Sequence, residues 1–174
     1  MDDLRYPIGR FHAPSTSEPA QRDEWIEQIA DAPSEMKRVV VGLAAERLDT
    51  PYRPEGWTVR QVIHHVADSH VNAYCRFRIA LTEDEPTIRA YEQARWAELP
   101  DAHDGPVEAS LELLAALHAR WVALLRTLDE NAMARRFKHP EVGTLQVAQL
   151  LCLYAWHGRH HTAHVTSLIA REGW

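Results

Sequence analysis

Leu150-Leu151-Cys152-Leu153-Tyr154-Ala155-Trp156-His157-Gly158-Arg159-His160-His161-Thr162-Ala163-His164-Val165-Thr166-Ser167-Leu168-Ile169 reads as one long amphipathic helix. At about 100° per residue, Leu150, Leu151, Tyr154, Val165, Leu168 and Ile169 share an arc. The pattern predicts a helix from about Leu145 to Ala170. Three more stretches carry the same period. Trp25, Ile29, Ala32, Met36, Val39 and Leu43 define a helix from about Gln21 to Leu48, with Pro33 inside it. That proline either kinks the helix or begins its second half. Val59, Val62, Ile63, Val66, Ala73 and Phe77 define a helix from Thr58 to about Leu81, entered through a Thr58-x-x-Gln61 capping-box pattern. Leu111, Leu114, Leu117, Trp121, Leu125 and Leu128 define a helix from Val107 to Leu128. No alternating strand run is visible, so the sequence predicts an all-α fold, a four-helix bundle.

The remaining segments read as connections. Residues 1–20 form an N-terminal arm, rich in proline from Pro7 to Pro19. Thr50 to Gly56 is a loop with Pro51 and Pro54. Pro86 to Pro100 is a connector with one helical turn around Tyr91 to Ala97, and Asp129 to Gly143 is another. The longer connectors leave the bundle topology open. Length predicts a single domain over residues 1–174.

Composition excludes several classes. Apolar residues make up 45% and charged residues 25% of the chain, which argues against disorder. No apolar run reaches the length of a membrane span, and the acidic Met1-Asp2-Asp3-Leu4 is followed by no apolar signal segment. A cytoplasmic location is expected. The net charge of −6, with no Lys/Arg block, argues against nucleic-acid binding. Cys75 and Cys152 are too few for a thiolate zinc site. The Glu83-Asp84-Glu85 run reads as a solvated loop.

Histidine is the anomaly. Seven of the 11 histidines lie in two windows, His64, His65 and His70, then His157, His160, His161 and His164. On the last helix, His157/His161 and His160/His164 are i,i+4 pairs, and either could chelate one ion. The helical wheel puts His161 inside the apolar arc and His157 at its border. His164 and His160 fall toward the rim, and Gly158 marks a close helix approach. A third ligand must come from another helix. His65 lies at the edge of its apolar arc and His70 near its middle, so position alone leaves both open. His64 points away, toward solvent or a supporting role. His118 on the third helix also borders its core face, but it reads more readily as a hydrogen-bonded core or surface residue, or a supporting group, than as the third ligand. Gly-rich phosphate loops, Cys-x-x-Cys, His-Glu-x-x-His and Gly-x-Ser-x-Gly are all missing. No inward Glu and Glu-x-x-His set stands out, so a mononuclear site is favoured over a di-iron one.

The stretch Gly56-Trp57-Thr58-Val59-Arg60-Gln61-Val62-Ile63-His64-His65-Val66-Ala67-Asp68-Ser69-His70 resembles the first signature of the YfiT branch of the DinB-like metalloprotein superfamily. Arg5-Tyr6-Pro7-Ile8-Gly9, Leu117-His118-Ala119-Arg120-Trp121 and Tyr154 to His164 resemble its other signatures, in order and spacing along nearly the whole chain. The resemblance implies a four-helix bundle holding one divalent metal ion; three imidazoles suit zinc, nickel, iron or copper, with zinc favoured and nickel next. Matched by position, the ligands are His65, His157 and His161; only the resemblance selects His65 over His70. It also implies a homodimer and a small-molecule substrate. Members of the branch are described as metal-dependent hydrolases, and relatives transfer low-molecular-weight thiols such as bacillithiol onto electrophiles.

Three neutral imidazoles leave a divalent ion with an open position, as in catalytic zinc sites. The ion would activate water for hydrolysis, or hold a thiol as thiolate for an S-transferase. A non-catalytic, metal-stabilised binding or stress protein is the third reading; it would need a fourth protein ligand, His70 or His164. His164, His160, His118 and Asp68 are the candidate groups that orient a ligand or supply a proton.

Overall fold

Each apolar stripe becomes a helix with that stripe turned inward. The computed structural model describes residues 2–174. Met1, the first residue of the expected arm, lies outside the described residues. In chain order the elements are α1 (Asp2–Arg5), α2 (Pro19–Val40), α3 (Ala45–Leu48), α4 (Val59–Thr82), α5 (Gln93–Trp96) and α6 (Pro100–Asp104). They continue with α7 (Val107–Leu125), α8 (Glu130–Ala134), β1 (Arg136–His139), β2 (Gly143–Gln146) and α9 (Val147–Glu172).

The four long helices close a ring. α2 packs along α9 and along α7, and α4 also packs against both α7 and α9. Consecutive helices α2 and α4 therefore face each other across the diagonal, as do α7 and α9. An up-down-up-down bundle would place every consecutive pair side by side. The open question of topology resolves into two diagonal crossings, made by the 41–58 and 126–146 segments.

Boundaries differ from the sequence reading in explicable ways. α2 ends at Val40, not near Leu48. Gly42 takes φ +87°, a left-handed conformation that breaks the helix, and α3 restarts at Ala45. Pro33 lies inside α2, which runs through it unbroken. The 129–143 connector holds α8 and most of an antiparallel hairpin, with Phe137 opposite Leu145 and the turn at residues 140–142. Four-residue strands are too short to show an alternating pattern, yet β1 buries Phe137 completely between exposed neighbours. The hairpin takes Leu145 and Gln146, so α9 starts at Val147.

The interior has two apolar clusters stacked along the bundle. One gathers Ile29, Phe77, Trp121, Phe137, Leu151 and Tyr154. The other gathers Met36, Ile63, Val66, Leu114, Val165 and Leu168. On each of α4, α7 and α9 at least one buried histidine lies between the two clusters, His70, His118 and His161 among them.

α4, which carries the first histidine window, begins with the expected capping box. Gln61 N–H donates to Thr58 Oγ1 at 3.1 Å, and Thr58 N–H donates to Gln61 Oε1 at 3.0 Å. Gln61 Nε2 also donates to the Ala97 carbonyl at 2.8 Å, tying the 86–100 connector to α4. We predict that Thr58→Ala lowers unfolding free energy by about 1 kcal/mol in urea denaturation, and that Thr58→Ser restores most of it.

Candidate metal centre

His65 on α4 and His157 and His161 on α9 are brought together. One ring nitrogen from each lies within 4.8 Å of the others. The His65 ring centroid is 5.4 Å from that of His157 and 4.8 Å from that of His161. The i,i+4 spacing sets the two α9 rings edge to face with centroids 4.5 Å apart. Burial pushes the His65 imidazole down to about 4, with His164 adding to the effect. Burial holds His157 and His161 well below the ordinary histidine range, helped by the neighbouring rings. All three are therefore neutral near pH 7, the form in which imidazole binds a metal.

Gly158 makes this approach possible. A Cβ there would stand 3.0 Å from Ala32 Cβ on α2 and 3.6 Å from His70 Cε1. α9 thus comes close to α2 next to His157, as the sequence suggested.

His70 is not a ligand candidate in this arrangement. It is completely buried, with its Nδ1 2.7 Å from His118 Nε2 and its Nε2 3.1 Å from His157 Nδ1. Both its nitrogens are engaged. His118 in turn places Nδ1 2.6 Å from the Ile29 carbonyl. His118 is thus the hydrogen-bonded core residue of the sequence reading, and its hydrogen-bonded link to the site runs through His70.

The expected rim position of His160 and His164 is corrected. They are 6% and 3% exposed. The wheel saw only helix-to-helix packing, whereas the arm and the loop after α3 cover this edge. His160 stacks on Trp156 at 4.1 Å and faces Tyr6 at 6.0 Å. His164 stacks on Tyr52 at 4.0 Å, and its Nε2–H donates to the Arg5 carbonyl at 3.0 Å. His64 is buried rather than solvated. It turns away from the site to Ser110 Oγ at 2.8 Å and the Gly105 carbonyl at 3.2 Å. The Asp68 side chain makes no hydrogen bond to any histidine among the described residues. Burial, with Asp101 assisting, raises its carboxyl to about 6. The Glu83-Asp84-Glu85 run is exposed, as expected.

The three rings open into a cavity of about 320 Å³. Its walls include Tyr6, Tyr52, Arg53, Trp57, Gln93 and Trp156. Sequence reading missed this lining. Only the resemblance flagged Tyr6 and Trp57, because loop and arm residues carry no periodicity. Three neutral nitrogen donors suit a divalent transition metal. The Nδ1 of His161 is buried without a protein hydrogen-bond partner, and a neutral imidazole so placed is free to turn a nitrogen to an ion. The residues present fit such an ion.

Residues 28–165 match the model of the DinB superfamily. The chain belongs to the DinB superfamily. Two relatives, each named a "Putative metal-dependent hydrolase", align over the full length of both chains. One, from Bacillus mycoides (strain KBAB4), is 52% identical; the other, from Bacillus cereus (strain 03BB102), is 53% identical. Among solved structures, YfiT from Bacillus subtilis is described as a probable metal-dependent hydrolase with an unusual four-helix bundle topology. It superposes with a TM-score of 0.97 at 45% identity, covering 99% of each chain. TT2238, a four-helix bundle protein, superposes with a TM-score of 0.56 at 22% identity, covering 88% of this chain and 99% of its own; the likeness is one of fold. Among the described residues of this DinB-superfamily chain, no helix is long and apolar enough to cross a membrane.

The buried rings make acid stability a readout of the site. His65 and His118 are each pushed down to about 4, against about 6.5 when unfolded. Above about pH 6.5 both are neutral in both states. Below it the unfolded chain takes up protons that the folded chain refuses, so stability falls until the folded values are passed. Each such group costs up to about 1.4 kcal/mol per pH unit in that window. We predict that the urea midpoint of the metal-free protein is level above about pH 7 and drops steadily from about pH 6.5 to 5. A level profile throughout would mean that the rings are hydrated.

Proposed function

We propose that the protein is a metal-dependent hydrolase acting on a small molecule, with His65, His157 and His161 as the ligands of one divalent ion. The observation that carries this reading is the convergence of three neutral imidazoles on an open cavity. Zinc is the favoured ion and nickel the next. Bound there, the ion supplies Lewis acidity, which acidifies water and polarises a scissile bond. The residues of the chain do the rest.

The histidine trio offers three donors, and both His70 nitrogens are already committed to other rings. An ion held by these three donors would keep a further coordination position for water or substrate, as catalytic rather than structural sites do. Trp57 packs on His65 with ring centroids 4.6 Å apart, and Trp156 packs on His160. These aromatic walls set apolar surface beside the histidine rings. Arg53 at the wall favours a substrate carrying negative charge near its reacting bond. Tyr6 and the Arg5 carbonyl, which holds His164, make the arm part of the site's roof.

The test begins with elemental analysis of untagged protein. We expect about one divalent ion per chain in the wild type and its loss in His65→Ala and His161→Ala. The loaded protein is then offered chromogenic esters, amides and phosphoesters, with and without a low-molecular-weight thiol. Turnover without thiol that a chelator abolishes supports the hydrolase. Turnover only with thiol would replace it with the S-transferase. Full metal content in both variants would move the ligands elsewhere.

A further inference from the structure

The Ile29 carbonyl and His118, both remote from the cavity, are joined to His157 by an unbroken line of hydrogen bonds. In a regular α-helix the carbonyl of residue 29 accepts from the N–H of residue 33. Residue 33 is proline, which has no N–H. The Ile29 carbonyl is thereby released inside a helix, and Ile29 itself is completely buried. His118 on α7 fills the vacancy, with Nδ1 2.6 Å from the Ile29 oxygen. A carbonyl oxygen only accepts, so His118 Nδ1 carries the proton. In the neutral ring its Nε2 is then an acceptor. That Nε2 lies 2.7 Å from His70 Nδ1, which must donate. His70 Nε2 is in turn an acceptor, 3.1 Å from His157 Nδ1, which must donate as well. Each ring dictates the proton position of the next. The last ring, His157, is left with Nε2 unprotonated. This nitrogen lies 3.5 Å from the Ser69 hydroxyl.

We propose that His118 is a positioning residue that fixes the tautomer of His157 through His70, anchored on the carbonyl that Pro33 releases. The inference rests on the assignment of His157 as a metal ligand. A histidine that binds a metal through Nε2 needs its proton on Nδ1, held there by an acceptor. Here the acceptor is another histidine rather than the usual carboxylate or carbonyl, and the carbonyl is two rings further back. The path visits α2, α7, α4 and α9 in turn. Asp68, the carboxylate nearest in sequence to this role, takes no part in it.

The test uses full-length protein labelled with ¹⁵N at histidine and freed of metal. Long-range ¹H–¹⁵N correlation spectra report which ring nitrogen carries the proton. In the wild type, His118, His70 and His157 are all expected as Nδ1–H tautomers. His118→Leu removes the acceptor for His70, so His70 and His157 should shift toward the Nε2–H form. Its Zn²⁺ affinity, read by competition with a chromophoric chelator, should fall by about 10- to 100-fold. His118→Gln places a side-chain carbonyl where it accepts from His70, and should retain the wild-type tautomers and most of the affinity. A merely structural role for His118 would not separate Gln from Leu in this way. An Nε2–H tautomer at His157 in the wild type overturns the proposal, and so does His118→Leu with unchanged tautomers and affinity. Should His118→Leu fail to fold, the wild-type spectrum alone decides. Should the wild type bind no Zn²⁺, it is the metal-site reading that fails, and the ordering of the three rings still stands or falls on the metal-free spectra.

Discussion

A neutral imidazole buried in a helix bundle has one donor and one acceptor, and leaving either unmet costs about 1–3 kcal/mol. This chain buries His65, His70, His118 and His161 in its interior and half-buries His157. The seam from the Ile29 carbonyl through His118 and His70 to His157 meets that constraint in full for His118 and His70 and supplies the acceptor for His157 Nδ1–H. The two apolar clusters lie on either side of it. Pro33 removes a helix hydrogen bond, and the released carbonyl is used by His118, so the loss in α2 is offset by a gain across the bundle.

The seam also divides labour among the histidines. Rings with both nitrogens engaged are held in place and are unavailable to an ion, as at His70. Rings with a free nitrogen line the cavity. His164 stands between these cases, with Nε2 on the Arg5 carbonyl and a buried Nδ1 that has no protein partner. It thereby connects the N-terminal arm to the edge of the histidine cluster, while Trp57 and Trp156 close the sides. Superfamily membership and the hydrolase names of the relatives accord with a site of this construction.

The helices were legible because their apolar residues recur over four to seven turns, long enough for the period to stand out. The same wheel placed His157 and His161 inward together. It could not choose between His65 at the edge of the apolar arc and His70 near its middle, because the choice depends on where α7 sits. It misplaced His160 and His164 because their cover comes from Tyr6 and Tyr52, in segments without periodicity. The hairpin escaped for a related reason, since four residues around Phe137 hold barely two alternations. Pro33 was visible as an irregularity. Its importance was not, because the partner for the carbonyl it releases lies 89 residues away in sequence.

The seam has a further consequence for how the helices sit. Leucine against valine tolerates a modest turn of a helix about its own axis, since dispersion contacts have little directional preference. Rings on a chain of hydrogen bonds do not. At a side-chain radius of about 5–6 Å, a 20° turn displaces a ring by about 2 Å, enough to break a bond between nitrogens. Three of the four long helices contribute a ring and the fourth a carbonyl, so the rotational phase of each is locked to the others. The two apolar clusters give the bundle cohesion, and the layer between them sets the angles at which its helices face one another.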